Sequence, residues 1–162
     1  MEKLYKEYSM LVFNYLNSLC GNFELAEELT QETFYKAIKG INKFNNECKI
    51  STWLCRIAKN TWIDFLRKEK KQDFISIDND FYFEDLIVEK SLDDNVTEKS
   101  ELINLYKHIH ELDENTREVF YLRIKGELSF KDIGEILNKS ESWAKLAFYR
   151  GKIKLKEAMK HE

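Results

Sequence analysis

Near the C-terminus, basic and aromatic side chains recur at intervals that would place them on one face of a helix. Arginine and lysine can read the edge of guanine or neutralise phosphate, and apolar side chains can contact thymine methyl groups or sugars. This is the chemistry of DNA recognition, although a basic helix face can also be simply solvated. The candidate residues are Ser142, Trp143, Lys145, Leu146, Tyr149, Arg150 and Lys152.

A second basic and aromatic set lies in the first half of the chain. Separating two DNA strands requires aromatic platforms for unstacked bases and cations for the backbone. Trp53, Arg56 and Lys59 could supply both. We expect Trp62 and Phe65, in contrast, to belong to the core.

Charge is segregated along the chain, although the whole protein carries a net charge of only −3. Residues 53–71 have a net charge of +4, residues 72–101 have −8, and residues 139–160 have +5. Two basic helices that flank an acidic middle are consistent with two nucleic-acid contacts. They are equally consistent with surface helices that are simply charged.

The residue types that usually carry catalysis or bind metals are poorly placed for either. His108 and His110 are two residues apart and would point to different sides of a helix. Cys20, Cys48 and Cys55 form no Cys-x-x-Cys pair and are expected to be ordinary buried thiols. The sequence also shows no nucleophile–base pair, phosphate loop or carboxylate dyad. We therefore expect that the protein is not an enzyme and that it binds no cofactor, metal ion or small-molecule substrate.

The elements that carry these residues are predicted to be helices. The 162-residue chain has no proline and only five glycines, too few turn residues for an all-β protein. No apolar run approaches the roughly 18 residues that a membrane span needs, and the N-terminus has no apolar signal stretch. We therefore expect a helical, cytoplasmic protein.

Apolar spacing predicts three helices in the first half of the chain. The first covers residues 4–19, and the second covers residues 23–39 with Gly40 as its C-cap. The third follows an N-cap at Ser51 and runs to about residue 71.

The stretch after the third helix is acidic and has no sustained periodicity, so we predict a linker at residues 73–97 whose apolar clumps could dock on a surface. The expected fold class is all-α. Two small helical domains, at residues 1–72 and 98–162, are joined by this flexible acidic linker. Mobility between such small domains is the default expectation.

The C-terminal domain has the features of a helix-turn-helix at residues 129–156. Ser129 with Asp132 resembles a capping box. Asn138 can take the left-handed turn that ends one helix, and Ser140 can cap the next. That second helix would enter the major groove of DNA and turn an apolar stripe inward. The stripe consists of Ala144, Phe148, Gly151 and Leu155.

Two N-terminal segments resemble conserved regions 2.2 to 2.4 of the extracytoplasmic-function (ECF) sigma factors, the detachable bacterial RNA polymerase subunits that select promoters. They are residues 26–37, AEELTQETFYKA, and residues 51–67, STWLCRIAKNTWIDFLR. Residues 112–123 resemble region 4.1 of the same factors, and residues 128–155 resemble region 4.2. The similarity covers nearly the whole chain outside the predicted linker.

The resemblance implies a protein that binds core RNA polymerase, recognises the −35 and −10 promoter elements and initiates transcription. The β′ coiled-coil clamp, with the β subunit also in contact, would meet the second helix, and the loop at residues 44–50 would hold a flipped base. The basic C-terminal set would read the −35 element. The implied core-polymerase-binding residues are Glu28, Leu29, Gln31, Glu32 and Tyr35, and the implied −10 residues are Trp53, Arg56, Lys59, Asn60, Asp64, Arg67 and Lys68.

The resemblance further implies an anti-sigma factor, often membrane-anchored, and a stress regulon. Many members have a small residue and then arginine where this chain has Leu146 and Ala147, so no promoter consensus is carried over. Three other functions remain as alternatives to a sigma factor: a dimeric helix-turn-helix repressor or activator, an enzyme, and an anti-sigma or adaptor protein. Co-purification with core polymerase separates the sigma-factor hypothesis from all three.

Overall fold

The computed structural model describes residues 1–72 and 96–161, so most of the predicted linker, with its apolar clumps, lies outside the described residues. Every regular element in the described ranges is helical, which confirms the all-α prediction. None of the described helices is long and apolar enough to cross a membrane. The helices are α1 (Glu2–Cys20), α2 (Phe23–Gly40), α3 (Ile50–Gln72), α4 (Val96–Glu111), α5 (Glu114–Ile124), α6 (Phe130–Leu137) and α7 (Glu141–Lys160), with a 3-10 turn at Ile41–Lys43.

Helices α1 to α3 form a first bundle, whose inward faces are apolar. Val12 of α1 and Leu54 of α3 are completely buried in its core. The chain reverses after α1 at Gly21, whose left-handed backbone (φ 63°) a residue with a side chain rarely adopts. Asn22 then caps α2 by accepting a hydrogen bond from the Leu25 N–H at 2.9 Å.

Two predicted helix ends in the first bundle are wrong. Gly40 is the last residue of α2 and has a right-handed backbone (φ −96°, ψ −7°), because the chain continues directly into the 3-10 turn. Ser51 does not cap α3, because α3 already begins at Ile50 and the Trp53 N–H donates to the Lys49 carbonyl at 3.0 Å. The loop between this 3-10 turn and α3 packs against α3 through the rings of Phe44 and Trp53.

Helices α4 to α7 form a second bundle, built around buried residues such as Phe120. Helix α4 begins at Val96, inside the predicted linker. The sequence pattern predicts a short helix at residues 117–125, but α5 begins three residues earlier, at Glu114. The earlier start has a physical cause: the Asp113 side chain accepts a hydrogen bond from the Thr116 N–H at 3.1 Å and so caps the helix there.

The helix-turn-helix has the predicted caps. The Ser129 hydroxyl accepts from the Asp132 N–H at 3.1 Å and donates to the Asp132 carboxylate at 2.8 Å. Asn138 ends α6 with a left-handed backbone, φ 55°. The Ser140 hydroxyl accepts from the Trp143 N–H at 3.0 Å and so begins α7. These local hydrogen bonds fix where the second helix starts.

Two glycines allow close helix contacts in the second bundle. A Cβ on Gly134 would lie 2.7 Å from the Lys139 carbonyl oxygen of the turn. A Cβ on Gly151 of α7 would lie 2.7 Å from the Thr116 methyl carbon and overlap the Phe120 ring, both on α5. The predicted inward stripe is confirmed: Ala144, Gly151 and Leu155 are buried, and Phe148 is half-buried.

The two bundles pack against each other, which the sequence analysis did not anticipate. Helix α3 packs on α6 and α1 packs on α5, so that one apolar cluster runs through both bundles. Leu11 of α1 reaches the turn between α5 and α6, where its Cδ1 lies 3.4 Å from the Cβ position of Gly126. In place of free movement between domains, the structure has a shared core. The physical reason is size, because bundles this small bury too little apolar surface alone.

Replacing Gly151 by alanine should destabilise the protein by about 1–3 kcal/mol, because the new methyl group collides with Phe120 and Thr116. Gly40→Ala is the matched control, since its Cβ would meet only the Trp53 ring, at 3.5 Å, and alanine favours helix by about 0.5–1 kcal/mol. In urea unfolding followed by circular dichroism, we expect a lower midpoint for Gly151→Ala only. Equal midpoints for the two variants would show that α7 does not cross α5 this closely.

Candidate nucleic-acid interface

The basic face of α7 is open to solvent. Lys145, Arg150 and Lys152 are exposed, as predicted for side chains outside the inward stripe. Leu146 and Tyr149 are apolar, yet they are 49% and 56% exposed. Because neither contributes its full apolar surface to the core, both are available for contacts such as those with thymine methyl groups.

The first turn of α7 combines a positive helix end with an aromatic ring. Ser142 is exposed, whereas Trp143 is half-buried and has the Lys139 ammonium 5.4 Å from its ring centroid. Backbone N–H groups at a helix start favour negatively charged partners such as phosphate. Lys145 lies 3.6 Å from Glu141, but both side chains are more than half exposed, so this pair holds Lys145 only weakly.

Aromatic packing sets the orientation of α7. The Phe148 ring stacks on Phe120 of α5, with centroids 4.7 Å apart, and lies 5.4 Å from the Phe130 ring of α6. Offset ring pairs at such distances add about 0.5–1.5 kcal/mol to the burial of their area. The buried side of the helix is therefore fixed, and the opposite basic side is presented outward.

The first half of α3 borders a cleft. Trp53 is half-buried, and its ring centroid lies 5.0 Å from that of Phe44 in the preceding loop. The cleft has a volume of about 520 Å³ and is also lined by Cys48. The cleft is large enough to admit an unstacked base, and its aromatic wall is suited to stacking on one. Four predicted −10 residues on this helix are exposed: Arg56, Asn60, Arg67 and Lys68.

Two other predicted −10 residues, Lys59 and Asp64, are occupied within the protein. The Lys59 ammonium forms an ion pair with the Glu118 carboxylate of α5 at 2.5 Å. The Asp64 carboxylate accepts from the Lys36 ammonium of α2 at 3.3 Å and lies 3.9 Å from the Arg67 guanidinium. In this conformation both side chains already have partners that a DNA strand would have to displace.

Glu118 is a functional candidate that the sequence analysis missed. Its side chain is 2% exposed, and burial raises its pKa by more than the neighbouring Lys59 charge lowers it. Its Oε2 atom and the Tyr15 hydroxyl are buried without a hydrogen-bond partner in the part of the chain that the structure describes. Each unsatisfied buried group opposes folding by about 1–3 kcal/mol. No motif or periodicity marks Glu118, because its environment is created by packing between bundles.

The outer face of α2 carries most of the predicted polymerase-binding residues. Glu28, Gln31 and Tyr35 are exposed, and Glu32 is half-buried. The Glu32 carboxylate lies 3.0 Å from the Lys36 ammonium, so Lys36 bridges α2 and α3. The expected polymerase contact by Leu29 is corrected. Its side chain is only 2% exposed and lies in the core, on the same inward side as Ala26, Thr33 and Ala37.

A second surface that the sequence analysis missed is an apolar groove on the second bundle. The groove has a volume of about 480 Å³. Ile153 and Met159 of α7 are 59% and 43% exposed, and their positions outside the inward stripe are the signal that could have revealed it. It is lined by Leu105, Ile109, Phe120, Ile124, Phe148, Tyr149, Lys152, Ile153, Leu155, Lys156 and Met159.

Within the described residues, no group of three or more histidine, cysteine, aspartate and glutamate side chains is arranged to hold a metal ion. His108 Nδ1 lies 3.2 Å from the Glu111 carboxylate on the same helix. This contact is local to α4.

Known proteins resemble the chain over nearly its whole length. The Sigma-70 region 2 family matches residues 4–72, and the Sigma-70, region 4 family matches residues 102–155. RNA polymerase sigma factor YlaC of Bacillus subtilis is 32% identical over 98% of this chain and 91% of its own length. ECF RNA polymerase sigma factor SigM of the same organism is 31% identical over 96% of this chain and 93% of its own length.

Solved structures share the fold. The sigma factor RpoE from Bartonella quintana, solved in complex with the anti-sigma factor NepR, has a TM-score of 0.70 and 18% identity over 99% of this chain and 98% of that chain. CnrH, solved in complex with the cytosolic domain of CnrY, has a TM-score of 0.68 and 17% identity over 99% of this chain and 88% of that chain. At such identities the likeness concerns the fold alone.

The three cysteines should react with iodoacetamide at very different rates. Cys20 and Cys55 are buried, but Cys48 is only half-buried because it lies in the loop beside the cleft, which corrects the expectation of three buried thiols. Burial raises the pKa of Cys55 to about 12, so at pH 8 only about one molecule in ten thousand carries the reactive thiolate.

We expect peptide mass spectrometry over time at pH 8 to show Cys48 alkylated first and Cys55 alkylated only after unfolding in urea. The urea sample serves as the control for intrinsic reactivity. Similar rates for Cys48 and Cys55 in the native protein would contradict a closed core around α3.

Proposed function

The chain belongs to the sigma-70 family of RNA polymerase sigma factors, in its ECF group, and we propose that it uses the surfaces described above to direct core polymerase to promoters. As an alternative sigma factor it binds core enzyme, recognises −35 and −10 elements and initiates transcription. The observation that carries the surface assignment is the open basic face of α7 on a correctly capped helix-turn-helix. Its role is that of an initiation factor and not of a catalyst.

We assign the −35 element to α7. Arg150 and Lys145 are exposed cations at the positions that enter the major groove in this motif. Leu146 and Tyr149 add apolar contacts to the same face. Because Leu146 replaces the small residue of many relatives, the base preference is expected to be this protein's own.

We assign the −10 element to α3 and its preceding loop. The cleft between Phe44 and Trp53 takes one unstacked base, and Arg56 and Asn60 border it. The exposed cations further along α3, Arg67 and Lys68, meet backbone phosphates. Lys59 joins this surface once its ion pair with Glu118 is broken.

Core polymerase is assigned to two surfaces. The outer face of α2 offers Glu28, Gln31, Glu32 and Tyr35 to the β′ clamp. The apolar groove of the second bundle is the surface that remains for β, since its exposed apolar side chains suit an apolar segment of a partner. We assign sigma region 2 to the first bundle, residues 1–72, and sigma region 4 to the second bundle, residues 98–162, with the linker at residues 73–97. The second bundle extends slightly further than this assignment, because α4 begins at Val96.

We further propose that an anti-sigma factor, anchored in the membrane in the manner of many relatives' partners, controls this protein. The support is the fold shared with RpoE of Bartonella quintana, which was solved with an anti-sigma factor. The protein would act in the cytoplasm, where polymerase and promoter DNA meet. A stress regulon is proposed from residues 140–145 and 148–150, which resemble the branch of the family that answers cell-envelope stress.

Run-off transcription tests the proposed function directly. Purified protein, core polymerase and genomic fragments should together yield discrete transcripts that neither protein yields alone. A tight duplex footprint by the isolated protein as a dimer, without such transcripts, would favour the repressor hypothesis.

The double variant Gln31→Ala, Glu32→Lys should weaken core-polymerase binding about tenfold or more, equivalent to about 1.4 kcal/mol, while the helical signal stays intact. The reason is that it removes the polar group and reverses the charge on the exposed face of α2. Competition with a labelled sigma factor for core enzyme measures the effect.

Glu2→Lys is the matched control for this charge reversal. Glu2 pairs with Lys6 on α1 at 3.0 Å, in the same i,i+4 geometry and at the same distance as Glu32 with Lys36 on α2. We expect this control to bind core enzyme normally. Normal competition by the double variant as well would place the polymerase contact elsewhere.

Arg150→Ala should reduce promoter recognition by about 1–3 kcal/mol and relax the preference at one base position of the −35 element. Lys152→Ala should weaken binding to all −35 sequences alike, because a phosphate contact carries no sequence information. It should also lower the slope of the logarithm of the binding constant against the logarithm of the salt concentration by about one. Transcription from a promoter library randomised across the −35 element distinguishes the two effects.

Phe148→Ala is the control for loss of folding in this library experiment. It removes the ring that stacks on Phe120 and should destabilise the protein by about 3–5 kcal/mol. An unchanged base preference for a folded Arg150→Ala variant would show that another face of α7 enters the groove.

A further inference from the structure

We propose that Lys36 of α2 is a positioning residue for promoter recognition: it fixes the Asp64 carboxylate on α3 so that one carboxylate oxygen reads an amino group on a base of the −10 element. The bases selected are cytosine and adenine, which carry an amino group on the edge where thymine and guanine carry a carbonyl oxygen. The inference rests on the proposed function, because it is the assignment of α3 to the −10 element that brings a base to Asp64.

The Lys36 ammonium joins α2 to α3 with all of its hydrogen-bonding capacity. It donates to Asp64 Oδ2 at 3.3 Å and to the Thr61 hydroxyl at 3.2 Å, both on α3, and lies 3.0 Å from the Glu32 carboxylate on its own helix. A lysine ammonium has three protons, so these acceptors account for all of them. Because Thr61 is buried in the core, its hydroxyl fixes the position of the ammonium relative to α3.

The two oxygens of the Asp64 carboxylate have different partners. Lys36 holds Oδ2, whereas Oδ1 is paired only with the Arg67 guanidinium, at 3.9 Å, among the residues that the structure describes. That distance is too long for a hydrogen bond, so Oδ1 keeps its capacity to accept one. The Asp64 side chain is 48% exposed, and Arg67 is exposed enough to turn toward a phosphate. A bound strand therefore has to displace Arg67 but not Lys36.

Asp64 lies on the face of α3 that borders the base-sized cleft. The residues of this face recur at intervals of three or four, within an arc of about 80° around the helix. They are Trp53, Arg56, Asn60, Asp64 and Arg67. Asn60 lines the cleft, and Asp64 follows one turn later, about 6 Å along the helix. This separation equals about two nucleotides of a stacked strand at about 3.4 Å each, so Asp64 is placed to meet a base near the one in the cleft.

A fixed carboxylate discriminates between bases by the kind of group that it meets. An ionised carboxylate can only accept hydrogen bonds. The amino groups of cytosine and adenine can donate to it, whereas the thymine O4 and guanine O6 atoms would face it as second acceptors. Discrimination requires that the carboxylate cannot turn away from the wrong base. Lys36 supplies this constraint, because rotation of the Asp64 side chain would break its hydrogen bond to Oδ2.

Transcription by the holoenzyme from a promoter library randomised across the −10 element tests the base reading. For the wild type we expect one position at which cytosine and adenine are favoured over thymine and guanine by about fivefold or more, the lower end of the range for a direct base contact. Asp64→Asn keeps the shape of the side chain but adds a donor that can meet carbonyl oxygens, so the preference at that position should disappear. Preferences at the other positions should be unchanged.

The same library tests the positioning role. Lys36→Met removes the ammonium and should abolish the preference at the same position, whereas Lys36→Arg retains a cation that pairs with carboxylates and should preserve it. Lys6→Met is the matched control, because it removes an ammonium paired with Glu2 in the same i,i+4 geometry on α1, and it should leave the preference unaltered. A preference is a ratio within one holoenzyme, so weaker core binding cancels. A purely structural role for Lys36 would lower total transcription and keep the preference.

Two results would overturn the inference. An unchanged preference in folded Asp64→Asn would refute the base reading, and an unchanged preference in folded Lys36→Met would refute the positioning role. Lys36→Gln, which also lacks the charge, takes the place of Lys36→Met if circular dichroism shows that variant to be unfolded. Wild-type transcription with no preference for amino bases at any position would refute this inference alone, whereas absence of transcription from every library promoter would refute the proposed function.

Discussion

The packing between the two bundles, in which α3 contacts α6 and the Lys59–Glu118 pair joins α3 to α5, is the interaction on which the rest of this structure depends. The apolar part joins two bundles that are individually too small for a deep core. The ion pair adds little net stability, because removing two charges from water offsets most of their attraction. Loss of one partner alone is another matter, since it leaves a buried charge uncompensated, at about 3–5 kcal/mol. The pair therefore decides which surfaces meet more than how strongly they adhere.

Each proposed binding surface is held in place by contacts between its helix and the neighbouring helices. The outer face of α7 is presented by the Phe148 stack and by the close approach at Gly151. The outer face of α2 is tied to α3 through Lys36, which contacts Glu32 on one helix and Asp64 on the other. Packing and the proposed recognition surfaces thus share the same short helices, and Glu32 belongs to both, because it lies on the proposed polymerase face and also pairs with Lys36.

Local features of this fold were predictable from the sequence. The caps at Ser140 and Asn138 follow from side chains that bond to backbone within three or four residues, so no knowledge of the remaining fold is needed. The predicted ends at Gly40 and Ser51 failed because a 3-10 turn and an earlier helix start satisfy the same backbone groups. Leu29 was assigned to a partner through family position, although its spacing already placed it inward.

The candidate site was less predictable than the helices that carry it. Exposure of Leu146 and Tyr149 could be deduced from one helix alone. The partners of Lys59 and Asp64 could not, because they come from other helices and Glu118 comes from the other bundle. Pairings of this kind depend on how bundles dock, and periodicity contains no information about docking.

The shared core also has a consequence for synthesis of the chain. Tyr15 and Glu118 lie close together in the fold although they are far apart in the sequence. Docking of the two bundles is therefore a late, non-local step, whereas each helix pair can form locally. With translation at about 5–20 residues per second, the first bundle waits roughly 5–20 s for the residues after α3. During that interval the apolar surface of α1 and α3 that later packs on the second bundle is exposed to solvent and to other chains. Because the chain has no proline, no slow isomerisation lengthens this interval.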